Sequence, residues 1–253
     1  MRIFLTMICV GILCLIGCMD GPKPDQTQIN VARAEQSQGE SFLAQGNHTA
    51  ALSKLLEAKK VLKEDPFLLN SLGLAYMGKK RDDLALESFQ AALTQKPDFT
   101  EAINNKGAVF MRMKRWDEAI AAFNQVLDDI LYPTPHFPLS NLGFAYLEKG
   151  DFAMAEVYFR KALDMQPWYL TASHGLAQMY MKSNRPEQAI KYLKVCLQRT
   201  PDVAILHADM ARALEQQGHF HPAKAHWMKV ARLSPMRSAL AREAEAKLMK
   251  IQN

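Results

Sequence analysis

Cysteine is scarce in this 253-residue chain, and its placement rules out cross-linking of the body. Three of the four, Cys9, Cys14 and Cys18, fall within the first 18 residues. Only Cys196 lies beyond them, so the body forms no internal disulfide even in an oxidising compartment. A buried packing thiol is the expected role of Cys196. Long apolar runs are missing too. The leading stretch Ile3–Ile16 has 14 residues, short of the ~20 that a transmembrane helix needs. No P-loop, no G-x-G-x-x-G turn and no His-Ser or Cys-His arrangement occurs, so nucleotide-dependent and nucleophilic enzymes lack their sequence signatures. No nucleic-acid motif occurs either. An enzyme is therefore not expected, with no catalytic residue, no metal site and no small-molecule substrate.

What is present begins with a leader. Arg2 is a one-residue positive n-region, Ile3–Ile16 suits a signal-peptide h-region, and polarity starts at once with Asp20, Lys23 and Asp25. The junction Leu15-Ile16-Gly17-Cys18 resembles the lipobox of bacterial lipoproteins, with Ile16 replacing the commoner small residue. The resemblance implies that residues 1–17 are a removable signal peptide and that Cys18 carries covalent lipid; no other cofactor is implied. Two or three acyl chains matter physically because one chain binds a membrane only marginally. Met19, where an aspartate would retain a lipoprotein in the inner membrane, implies lipid anchoring in the outer membrane on the periplasmic face; Asp20 follows it. An ordinary signal peptide ahead of a chance cysteine is the alternative. Residues 18–31, with Gly21, Pro22, Pro24 and a glutamine-rich run, read as the lipidated cysteine and a flexible tether.

The body beats every 34 residues. Ala85, Phe89, Ala92 and Pro97 recur as Ala155, Phe159, Ala162 and Pro167, as Ala189, Leu193, Cys196 and Pro201, and as Ala223, Trp227, Val230 and Pro235. Ala51, Leu55, Ala58 and Ala119, Phe123, Val126 fit the same slots without the proline. The preceding half repeats as Leu72-Gly73 with Tyr76, Leu142-Gly143 with Tyr146, and Leu176-Ala177 with Tyr180. Small residues at Gly39, Gly73, Gly107, Gly143, Ala177 and Ala211 let a second helix approach the first, and the large residue of each second helix fills the gap. Proline closes the second helix. Gly46, Gly150, Gly218 and Asn184 suit left-handed turns between the helices.

Period and residue types resemble the tetratricopeptide repeat. The resemblance implies an all-α, right-handed solenoid of six helix-turn-helix units over residues 32–235. The approximate units are 32–65, 66–99, 100–135, 136–169, 170–203 and 204–237, followed by a capping helix in 236–253. The third unit is lengthened to 36 residues at Tyr132-Pro133-Thr134-Pro135. That loop either splices two halves or presents Tyr132 and Phe137 to a partner.

In such solenoids the first helices line a concave groove. Its slots here hold Leu43; Phe67, Asn70, Leu74 and Met77; Asn104, Met111 and Arg112; Phe137, Phe144, Leu147 and Glu148. Later units add His174, Gln178, Met181, Lys182, Arg212 and Glu215. The partner-binding residues expected from this set are Leu43, Phe67, Asn70, Leu74, Met77, Asn104, Met111, Phe144, Leu147 and Met181, because apolar and methionine-rich surfaces suit peptides. The Lys/Asn clamp that holds chaperone tails in some relatives is absent: its slots hold Asn70 and Leu74, Asn104 and Ala108, His174 and Gln178.

Charge is uneven. Residues 168–253 hold 13 Lys/Arg against 6 Asp/Glu, whereas residues 18–167 hold 17 against 20. The basic third suits an anionic partner or is a solvated face. His219, His221 and His226 cluster in sequence without a clear fourth ligand for zinc. Asp82-Asp83 and Asp117-Glu118 open second helices, where acids favour the positive end of the helix dipole.

Lipobox, tether, six repeats, closing helix and the Tyr-Pro-Thr-Pro opening of unit four together resemble the PilF/PilW/Tgl lipoproteins of type IV pilus biogenesis. That resemblance implies a pilotin, a scaffold that binds subunits of a PilQ-like secretin and promotes their localisation and multimer assembly. A lipoprotein adaptor that recruits peptidoglycan enzymes or a periplasmic protease is the alternative, and a metal-dependent enzyme using the histidine-rich last repeat is a more distant one.

Overall fold

The computed structural model describes residues 23–252, so the leader, Cys18 and Met19 lie outside the described residues. Among the described residues there are thirteen helices and no strand. They are α1 (Gln26–Ala44), α2 (His48–Lys59), α3 (Pro66–Gly78), α4 (Asp82–Gln95), α5 (Thr100–Arg112), α6 (Trp116–Leu127) and α7 (His136–Lys149). Then come α8 (Phe152–Met165), α9 (Leu170–Lys182), α10 (Pro186–Arg199), α11 (Ala204–Gln216), α12 (Phe220–Leu233) and α13 (Ala239–Gln252). None is long and apolar enough to cross a membrane.

The first helix corrects one expectation. Residues 26–31, read as tether, are already helical. Asp25 accepts the Gln28 N–H (2.8 Å) while the Gln28 side chain accepts the Asp25 N–H (2.9 Å). This reciprocal capping box starts the helix inside the glutamine-rich run.

Short turns join each pair of helices, and all six place one residue at positive φ: Gly46, Lys80, Lys114, Gly150, Asn184 and Gly218. Four of the six second helices end just before the repeated proline. Their caps Lys96, Gln166, Thr200 and Ser234 are pushed off the helical region, as a residue preceding proline must be.

The first four pairs are each locked by one large side chain against a missing one. A Cβ added at Gly39 would meet Leu55 at 2.6 Å, at Gly73 it would meet Phe89 at 2.4 Å, and at Gly107 it would meet Phe123 at 2.7 Å. Leu55, Phe89, Phe123, Phe159, Leu193 and Trp227 are fully or almost fully buried, each at the same repeat slot. Burying one such side chain contributes roughly 1.5–3 kcal/mol.

The stacking is asymmetric. Every odd-numbered helix touches the next odd one, while no two even-numbered helices pack on each other. The units are therefore wedges, with the odd helices forming the inner, concave layer and the even helices splayed outside. Helix α13 packs on α12 and α11 as a further inner helix would, closing the last apolar face.

Candidate protein-binding surfaces

Most of the expected groove residues are half-buried between successive inner helices. Leu43 packs into the N-terminal core beside Ala51, Leu55 and Leu72. Leu74 and Met77 lie against Ala85, Phe89 and Val109. Met111 lies against Phe110, Phe123 and Leu142. Phe144 meets Phe159 edge-on with ring centroids 5.0 Å apart, and Met181 joins the same C-terminal core. Leu147 is a correction. It is 2% exposed and belongs to that core. The repeat slot sets the face of the helix but not its depth, and here Leu147 is covered by the core of α8 and α9.

The polar groove positions tie units together. Asn105 donates to Asn70 across α5 and α3 (3.0 Å). Asn104 is half-buried and its Oδ1 has no hydrogen-bond partner. Arg112 donates to the Met77 carbonyl (2.8 Å) and pairs with Asp82. Lys182 pairs with Glu148 (2.6 Å), and Gln216 donates to the Met181 carbonyl (3.2 Å). Phe67 stands apart at 50% exposure. It meets Phe99 edge-on at 5.1 Å, and the Lys96 ammonium sits 5.1 Å from each ring. Of the ten expected contact residues, Phe67 alone offers a largely open apolar face.

A polar network fixes the far end of the inner layer. The fully buried Asp209 carboxylate receives His174 Nδ1 (2.6 Å) and Arg212 (3.0 Å). Arg212 also makes a two-toothed pair with Glu243 of α13 (3.0 and 2.6 Å). Burial opposes the Arg212 charge, but Glu243 and Asp209 outweigh it and raise its pKa. Glu215 receives both Lys247 of α13 and the Trp227 indole N–H (2.8 Å). Arg212 and Glu215, expected at groove slots, thus anchor the capping helix, and His174, also expected there, joins the network through Asp209.

The histidines of the last unit do not converge. His219 and His221 are exposed at the start of α12, whereas His226 turns inward onto His207 of α11. Among the described residues no three metal-binding side chains come together.

The lengthened loop presents residues the sequence did not single out. Tyr132 is half-buried against Ile103, Ala122 and Val126, and Phe137 lies edge-on to Tyr169. The tips are Ile130 and Leu131, 93% and 84% exposed. Ile130 and Met165 line a cleft between α6 and α8, and Trp168, 45% exposed, lines the adjoining cleft between α8 and α10. Trp168 holds φ +65°, a conformation costly for a bulky residue. Asp98 and Asp202 occupy the same slot after the repeated proline without a positive φ, so the sequence carried no signal for it.

Tetratricopeptide-repeat family models match residues 37–99, 98–167 and 146–202, together spanning 37–202. The type IV pilus assembly protein PilF of Pseudomonas aeruginosa is 25% identical over 186 residues, covering 70% of this chain and 73% of PilF. The superkiller complex protein 3 of Mus musculus is 28% identical over 185 residues, which is only 10% of that protein. Among solved structures, PilW, a type IV pilus biogenesis factor, superposes with TM-score 0.76 at 24% identity, over 88% of this chain and all of PilW. The P. aeruginosa PilF structure gives 0.69 at 22% identity with the same coverage.

Proposed function

The chain belongs to the tetratricopeptide-repeat proteins and is homologous to PilF, and from that premise we propose that it is a non-catalytic, lipid-anchored scaffold of type IV pilus biogenesis. In this reading Cys18 carries the lipid and the outer membrane holds the anchor. The solenoid binds subunits of a PilQ-like secretin, raising their local concentration so that the multimer assembles.

The observation that carries the reading is a conjunction. A repeat solenoid that shares 25% identity with a pilus assembly protein over most of both chains follows a lipobox-like leader. Repeats alone are shared with proteins as distant as the superkiller subunit, and a lipobox alone is shared with unrelated lipoproteins. The inner layer supplies a rigid surface, because Asn70–Asn105, Glu148–Lys182 and Asp209–His174 bridges fix neighbouring units. Rigidity lowers the ordering cost of binding a partner.

The test is membrane fractionation combined with affinity purification of the tagged chain. The wild type is expected in the outer membrane, co-purifying with secretin. Cys18→Ala is expected to leave the membrane fraction while still binding secretin. A wild-type chain that fractionates elsewhere, or that brings down no secretin, contradicts the proposal.

A further inference from the structure

Because the even helices splay apart, clefts open between them on the outer layer. One lies between α10 and α12 with α11 as its floor, and its volume is about 620 Å³. Ile190, Leu197, Met210 and Leu214 give it an apolar base, and the exposed Lys194, His219 and Pro222 stand on its rim. No aspartate or glutamate lines it. Lys194 and Lys229 take part in no ion pair among the described residues. Three of the six acids in residues 168–253, Asp209, Glu215 and Glu243, are already committed to Arg212 or Lys247 on the inner side. The outer face of this third is therefore left with uncompensated positive charge.

His226 gives the cleft a fixed polar point. His207 Nε2 lies 2.7 Å from the Pro201 carbonyl, so it carries the proton. His207 Nδ1 is then an acceptor, and His226 donates to it through Nδ1 at 2.9 Å. That leaves His226 Nε2, on a residue lining the cleft, as a hydrogen-bond acceptor.

We propose that this cleft docks an acidic, apolar peptide segment of a partner protein. Two or three aliphatic or aromatic side chains would fill the base, carboxylates would meet Lys194 and His219, and a peptide N–H would reach His226 Nε2. Charge complementarity selects the acidic partner. A recessed apolar base between two helices selects a peptide over a bilayer, which needs a protruding apolar face. The cleft opens between outer helices, with the inner helix α11 as its floor.

The experiment uses the full chain in phosphatidylcholine vesicles and two fluorescein-labelled hexapeptides, Glu-Leu-Phe-Glu-Leu-Glu and Lys-Leu-Phe-Lys-Leu-Lys, with binding read by anisotropy against empty vesicles. The glutamate probe is expected to bind at least ten-fold more tightly than the lysine probe. Lys194→Glu, at an exposed position that folding tolerates, is expected to abolish that preference, while Lys161→Glu on a different cleft leaves it unchanged. Equal affinity for the two probes, or an unchanged preference in Lys194→Glu, overturns the proposal. Displacement of the glutamate probe when phosphatidylglycerol is added to the vesicles assigns the cleft to anionic lipid and also overturns it.

Discussion

Gly143 and Phe159 share one volume: a Cβ on the glycine would stand 2.6 Å from the ring. Phe159 is completely buried, and Gly175 of the next unit closes on the same ring, where a Cβ would stand 2.3 Å from Cε1. The phenylalanine thus links three helices, and its size is matched to two missing side chains.

Gly143→Ala is expected to destabilise the chain by about 1–3 kcal/mol through overpacking. Unit five shows the compensated form, with Ala177 facing the smaller Leu193, both fully buried. Adding Phe159→Leu to Gly143→Ala should therefore cost less than the two single changes summed. Thermal or urea unfolding of the four proteins measures the coupling. Strict additivity would show that the two residues do not compete for space.

Lys114 turns between α5 and α6 with φ +58°. Glycine occupies the equivalent slot at Gly46, Gly150 and Gly218. Lys114→Gly is expected to stabilise the chain by about 0.5–1 kcal/mol, because it removes left-handed strain from a residue bearing a Cβ. Lys114→Ala, which keeps the Cβ, should give no such gain. The measurement is the midpoint of thermal unfolding.

These two positions show what the sequence made legible and what it did not. Gly39, Gly73, Gly107 and Gly143 were readable because each slot of the repeat has its own size limit, and the structure obeys it. Lys80 and Lys114 were not singled out, since lysine carries no turn signal of its own. Only the 34-residue spacing to the glycines exposes them. Depth was less readable than face: Phe144 is half-buried while Leu147, three residues on, is sealed in the core. Ile130 and Leu131 escaped notice because apolar residues directly after a helix normally return to the core, whereas here the extra loop length carries them outward.

The buried Asp209 carboxylate holds His174 and Arg212 together, and Arg212 in turn holds Glu243 of the capping helix. Asp209→Ala is expected to cost about 3 kcal/mol, since removing one member of a buried ionic network leaves its partners uncompensated. Hydrogen exchange should quicken first in α13, whose inner contacts run through Arg212 and Lys247. Uniform quickening along the whole chain would contradict a local role.

Burial first, then the charges of His207 and Lys229, holds the His226 pKa down at about 4, against an ordinary 6.5. Folding thus favours its neutral form. This contribution to stability is complete above pH 6.5, where the unfolded chain is also neutral, and is lost progressively as pH falls towards 4. His226→Gln should be less stable than wild type at pH 7.5 but lose less on acidification across that window. Parallel profiles would show that another group carries the acid limb.

The most direct measurement of the scaffold account is an immunoblot for heat-resistant secretin multimers in cells lacking this chain, complemented with wild type or with Cys18→Ala. The account predicts that multimers vanish while secretin monomer persists, and that the wild type alone restores them fully. Normal multimers in cells lacking the chain would contradict it.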